Sequence, residues 1–175
     1  MNNKLSSVLF TFIVLAICAS FSACTTISNG SNALQPAKSG FKYTVDIPDK
    51  WHTESSTDLS FYTSINVRSE DGFLNPILTL TKVDLPNESQ DFFIKKVLEG
   101  TQTHKELNDI KNSKNYSVSA YECTQNSARK EYTCYFAFFK TDTDFVIMNL
   151  MGDSSLDKDL KLYFYKFVKT FRPAS

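Results

Sequence analysis

His52 and His104 are the two histidines of the chain, and acid–base or metal chemistry would start from them. Neither has a second ligand at metal spacing such as His-x-x-x-His, so each reads as an exposed or hydrogen-bonded structural histidine. The carboxylates Asp142, Asp144, Asp157 and Asp159 fall at turns and at a helix start. There they would cap backbone amides and favour the helix dipole; a calcium loop needs a denser run of oxygen ligands. No Gly-x-Ser-x-Gly elbow, Walker loop or dinucleotide fingerprint is present, and five glycines leave little room for a phosphate cradle. The sequence predicts a protein that is not an enzyme, with no catalytic residue, no metal and no cofactor.

Sulfur is the other reactive element, in Cys18, Cys24, Cys123 and Cys134. The first two lie in or beside a leader. Lys4 is followed by a stretch without charge from Leu5 to Ala23, apolar from Val8 to Ile17 except for Thr11. A positive start, a short apolar run and small residues at its end make a signal peptide over 1–23. Its boundary, Phe21-Ser22-Ala23-Cys24, resembles the lipobox of bacterial lipoproteins, Leu-(Ala/Ser)-(Gly/Ala)-Cys. Ser22 and Ala23 fit that pattern and Phe21 departs from it. The resemblance implies cleavage before Cys24 and acylation of that cysteine, palmitate included, so that the membrane is a partner through the anchor. Thr25 replaces the Asp that retains such proteins in the inner membrane, which points to the outer membrane, facing the periplasm. An uncleaved signal anchor, or plain cleavage leaving a free Cys24, are the alternatives.

With Cys18 removed and Cys24 acylated, Cys123 and Cys134 remain. An even remainder in an exported protein reads as one disulfide. If the two face each other across a hairpin, 124 pairs with 133, 125 with 132, and the turn centres on Ala128-Arg129. Directly opposed Cα atoms, about 4.5–5.5 Å apart, lie within disulfide range. A redox-active pair would call for Cys-x-x-Cys spacing, which is absent. The 19 basic and 19 acidic residues cancel, so the balance gives no nucleic-acid footprint.

Residues 24–40 form a tether: after Cys24 they are mostly Ser, Thr, Asn, Gly and Pro, with too few apolar residues to pack. The domain spans 41–173. Phe41, Tyr43, Val45 and Ile47 alternate with polar residues, predicting a half-buried strand. Further strands are predicted at 59–67 and 77–83, with a short extra one near 51–56. A helix starts at Asn87, paired with Gln90 and carrying Phe93/Val97 and Ile94/Leu98 on one stripe. Gly100 is its natural stop, although 101–110 could prolong it. Strands at 116–124, 131–141 and 145–151 follow. Leu156, Leu160, Phe164, Phe167 and Phe171 then mark a closing helix capped by Ser154 or Ser155. The fold class is α+β, an antiparallel sheet of about six strands packed between helices.

At this point the chain resembles the PsbP-like superfamily, which includes a photosynthetic oxygen-evolving-complex protein, a Ran-binding import factor, DcrB-type envelope lipoproteins and effector chaperones. The opening Phe41 to Pro48 with Trp51, the hairpin strands 132–139 and 145–150, and the helix ending Phe171-Arg172-Pro173 carry it. With the leader, DcrB-like envelope lipoproteins are the best match. The resemblance implies an α-β-α sandwich and a binding or accessory role, and supplies no catalytic residues.

Fifteen Phe and eight Tyr predict an aromatic core, with the residue of tyrosines free to form an interface. Tyr121, Tyr135, Tyr163 and Tyr165 are the candidate partner surface. The expected function is a membrane-anchored accessory module engaging an unidentified protein partner in the periplasm. A secretion-system immunity protein and a hydrolase with a non-motif site are the alternatives. Nothing in the sequence fixes the oligomeric state.

Overall fold

The computed structural model describes residues 41–59, 62–69, 76–127 and 130–173. The predicted leader, Cys24, the tether and the turn at Ala128-Arg129 lie outside them. Seven strands form one antiparallel sheet: β2 (Trp51–Leu59), β3 (Tyr62–Ser69), β4 (Ile77–Val83), β5 (Thr103–Glu106), β6 (Ser117–Ser127), β7 (Lys130–Lys140) and β8 (Phe145–Asp153). Their order across the sheet is β2-β3-β4-β8-β7-β6-β5. Two short strands, β1 (Tyr43–Thr44) and β9 (Arg172–Pro173), pair with each other apart from it. Helix α1 (Asn87–Glu99) follows β4, and α2 (Asp157–Thr170) follows a 3-10 turn at Ser154–Leu156. The sheet thus has seven strands rather than about six.

Strand geometry sends alternate residues to opposite faces, and β7 shows the division. Tyr135, Ala137 and Phe139 join one apolar cluster with Leu160, Phe164, Phe167 and Val168 of α2. Cys134, Phe136 and Phe138 join the other with Phe93, Ile94, Val97 and Leu98 of α1. Covered on both sides, β7 is buried without interruption from Cys134 to Phe139. The only tryptophan, Trp51, lies in the α2 cluster, edge-on to Tyr163 and Phe167 with ring centres 5.3 and 5.4 Å away.

Three local expectations are corrected. Phe41, Tyr43, Val45 and Ile47 are buried as their alternation predicts, but only Tyr43–Thr44 is a strand, and it pairs with β9 outside the main sheet. Helix α1 stops at Gly100, the expected place, and what is corrected is the alternative of a prolongation through 101–110. Gly100 N–H closes on the Val97 carbonyl at 3.1 Å and Thr101 N–H on that of Leu98 at 3.0 Å. Thr101 also spends its hydroxyl on Leu98, and the chain then pairs with β6 as the edge strand β5. Finally, neither Ser154 nor Ser155 caps the closing helix. Asp153 accepts the Ser155 N–H at 2.9 Å and starts the 3-10 turn, and α2 begins at Asp157.

Candidate functional site

Helix α2 turns Leu160, Phe164, Phe167 and Val168 to the core. At 3.6 residues per turn, positions 158, 159, 162, 166 and 169 must then face outward. Four of these five are charged. The fifth, Leu162, is 70% exposed, an apolar side chain with no place in a core-facing stripe.

Beside that outward face runs the segment between β5 and β6. Leu107 anchors it, buried and with its N–H on the Ala120 carbonyl at 2.8 Å. The Ser113–Tyr116 bridge closes its far end. Tyr116 is wedged edge-on against Phe139 and Phe171, at 5.1 and 5.4 Å. Between this segment and α2 lies an open groove of about 870 Å³, its floor formed by Ile110, Tyr116, Tyr163 and Val168 and its rim by Leu162, Lys111, Lys166 and Lys169. Such a groove, apolar with a few placed polar groups, has the make-up of a ligand or partner site.

Of the four candidate tyrosines, the structure brings two to this groove. Tyr163 leans on Trp51 and stacks on Phe167. Tyr165 donates its hydroxyl to Asp109 at 2.8 Å from each carboxylate oxygen. Burial first, then this acceptor, raise the Tyr165 phenol to about 12. Tyr121 is half-buried on the opposite face of the sheet, packed against the α1 cluster and edge-on to His104 and Phe138. Tyr135 is not on the surface at all: it is fully buried against Phe164 and donates to Asp157 at 2.7 Å. Its strand is central and covered on both faces, so no face of it is left for a partner.

Cys123 and Cys134 stand directly opposite each other on β6 and β7, with 124 opposite 133 and 125 opposite 132, the register expected from the hairpin. Both are buried, and the Cys134 thiol lies 3.8 Å from the Gln125 side-chain oxygen. Burial pushes the Cys123 thiol up to about 12. His52 and His104 lie on β2 and β5, the two edges of the seven-stranded sheet. At about 4.8 Å per strand they are too far apart to serve one site. Among the described residues, no three His, Cys, Asp or Glu side chains converge as metal ligands, and no helix is long and apolar enough to cross a membrane.

A second, more polar depression of about 520 Å³ lies on the other side of Tyr116, among Asn87, Gln90, Asn112 and Asn115. Its buried amide, Gln90, already donates to Asn87 at 2.9 Å.

Leu162, Ile110 and Tyr116 were not among the residues expected at the site. For Leu162 a signal existed: it stands two residues from both Leu160 and Phe164, so on a helix it cannot share their face. Ile110 and Tyr116 gave none, because 101–110 was open to a prolongation of α1 and Tyr116 read as the start of a strand.

No family model matches the chain, and no curated protein is detectably similar to it in sequence. Its resemblance to the PsbP-like superfamily therefore rests on the residues quoted above. Among solved structures, it is similar to LpqN of Mycobacterium tuberculosis, a protein described as involved in cell envelope biogenesis. The TM-score is 0.50 at 12% identity, over 76% of this chain and 83% of that one. At that identity the likeness speaks for the fold alone.

Proposed function

We propose that this chain is a bacterial envelope lipoprotein, cut before Cys24 and held by acyl chains on that residue. Its domain, an α-β-α sandwich of PsbP-like type, is a non-catalytic accessory module that engages a protein partner through the groove between α2 and residues 107–116. The observation that carries this reading is Leu162, 70% exposed on the lip of an apolar groove. Leaving a leucine in water forgoes roughly 1.5–3 kcal/mol of burial, and such a residue amid aromatic side chains is the composition of an interface core. The leader and lipobox support the address. LpqN, of similar fold and involved in envelope biogenesis, is compatible with an accessory role there.

Two measurements test it. Radiolabelled palmitate should enter the wild type and not Cys24→Ala; label persisting in the variant rejects the acylation site. A photo-activatable residue at 162 in cells should give a discrete adduct with one envelope protein. The same residue at Phe92, which is 57% exposed on α1, should not. Equal or absent adducts from the two positions reject the groove.

A further inference from the structure

The cations of the groove are unspent. Among the described residues, Lys166 and Lys169 are exposed and make no ion pair, and Lys111 reaches only the Asn108 carbonyl, at 3.0 Å. The one acid of the lining, Asp109, accepts the Tyr165 hydroxyl and keeps its charge, so three lysines stand against one carboxylate. Helix α2 is itself polar along its length: Asp157 and Asp159 stand in its first turn, Lys169 in its last. The positive charge is thus gathered at the C-terminal half of the helix, around an apolar floor, in a chain that carries no net charge as a whole.

We infer that the occupant of the groove is an acidic amphipathic segment of an envelope protein, apolar along one edge and flanked by carboxylates, lying close to the bilayer. Apolar side chains would cover Ile110, Tyr116, Tyr163 and Leu162, and carboxylates would meet Lys166, Lys169 and Lys111. This is the helix-in-groove mode of recognition, with charge complementarity setting orientation and partner choice. A concave strip calls for a ridge, whereas a flat lipid surface would have to meet Asp159 as well as the lysines.

The place of the groove in the chain sets the distance from the membrane. Its basic end adjoins the point where the domain begins: Tyr43 pairs with Pro173, and the Asp46 N–H donates to Thr170 at 3.1 Å. Phe41 follows Cys24 by 17 residues, so even a fully extended backbone would separate them by no more than about 60 Å. A partner seated here lies within a few nanometres of the headgroups. The inference rests on the groove being the partner site, and it deepens that reading.

The test uses the full mature chain in phosphatidylcholine nanodiscs and two labelled synthetic helices of equal length. Both carry leucines at i, i+3, i+4 and i+7; one has glutamates at the other positions and the other lysines. Fluorescence anisotropy should show the glutamate helix binding at least tenfold more tightly. Raised salt should weaken it, and Lys166→Glu/Lys169→Glu should abolish or invert the preference. Both lysines are exposed, so that variant should keep the wild-type Trp51 emission. Equal affinities, or a preference that ignores the charge reversal, overturn the inference. So does phosphatidylglycerol in the discs displacing the glutamate helix and protecting α2 amides from exchange, which would make the lysines a lipid contact. An adduct from position 162 without any acidic preference would sink the inference and leave the proposed function standing.

Discussion

Tyr165 and Asp109 are joined by a hydroxyl–carboxylate hydrogen bond, 2.8 Å to each oxygen, that ties α2 to the opposite wall of the groove. Without it the segment 107–116 would be held chiefly by Leu107 and by the ring of Tyr116. Tyr116 makes the other polar link to α2, its hydroxyl donating to the Val168 carbonyl at 3.5 Å.

Tyr165→Phe should loosen that wall. The folded phenol is raised to about 12, above its ordinary value of about 10. The bond's contribution is thus fully present below about pH 10 and is lost only as pH rises through about 12. At neutral pH the variant should lose about 0.5–1.5 kcal/mol, the net worth of one hydrogen bond. Amide exchange across 107–116 should accelerate while β7 stays protected. Unchanged exchange in that segment would show that the bond does not hold the wall.

A second contact fixes α2 against the sheet. Gly152, near the end of β8, lies under Leu160: a Cβ built on it would come within 2.9 Å of Leu160 Cδ2 and 3.1 Å of Cδ1. Leu160 is fully buried and has little room to turn aside. Gly152→Ala should cost about 1–3 kcal/mol by overpacking. Because Trp51 packs on Tyr163 and Phe167 of the same helix, its emission should also shift. Adding Leu160→Ala removes the clash but opens a cavity costing about 2–5 kcal/mol, so the double variant should be no more stable than Gly152→Ala alone. A stable Gly152→Ala protein with unshifted emission would mean that the Leu160 side chain turns aside without displacing α2.

The parts of this fold that were legible in the sequence are those fixed by local pattern. The opposition of Cys123 and Cys134 follows from hairpin arithmetic, and the α2 stripe from helical spacing. The alternation of Phe41, Tyr43, Val45 and Ile47 gave their burial correctly. It could not give the partner strand, because β9 lies at the other end of the chain. Tyr135 was misplaced for a related reason. A strand buried on both faces has no polar–apolar period to reveal it, and the Asp157 that satisfies its hydroxyl belongs to another element. Residues 101–110 offered apolar and polar side chains at spacings that either a helix or a strand could use, and pairing with β6 decided the matter. At the groove, Tyr163 and Tyr165 were legible because they sit off the buried stripe; the wall facing them was not, since its conformation is set by tertiary contacts.

Acid should weaken the contact between the domain's first residues and the β7–β8 turn. Asp144 accepts the Tyr43 hydroxyl at 2.6 Å and pairs with Lys82 at 3.2 Å. Burial alone would push its carboxyl up, but hydrogen bonds from Tyr43 and Lys82, with the charge of Lys82, outweigh it and hold the group below the ordinary range. A depressed carboxyl stabilises the fold above its unfolded value of about 3.9, and that stability is lost as pH falls through the folded value. Asp144→Asn should destabilise at pH 7 by about 1–3 kcal/mol and flatten the acid limb below about pH 4. Urea midpoints from pH 2 to 7 measure both. Parallel acid limbs in the two proteins would assign the loss to other carboxylates.

The cysteine pair gives the last prediction. Cys123 and Cys134 are opposed and buried, and the Cys123 thiol, raised to about 12 by burial, supplies little thiolate at neutral pH. Spontaneous oxidation in air should therefore be slow, since the thiolate is the attacking species. An exported chain meets dithiol oxidants. Exchange with one would form the Sγ–Sγ bond, transfer the two electrons and two protons to the oxidant, and leave the protein lighter by two hydrogens. Protein from an oxidising compartment should thus show no free thiol in denaturant without reductant, whereas unprocessed cytoplasmic protein should show the thiols of Cys123 and Cys134 beside those of Cys18 and Cys24. The oxidised form should be more stable by about 2–3 kcal/mol, the value for a short loop, and Cys123→Ala/Cys134→Ala should lose that increment. Two titratable thiols in protein from the oxidising compartment would mean that the pair stays reduced, packed as small apolar side chains beneath α1.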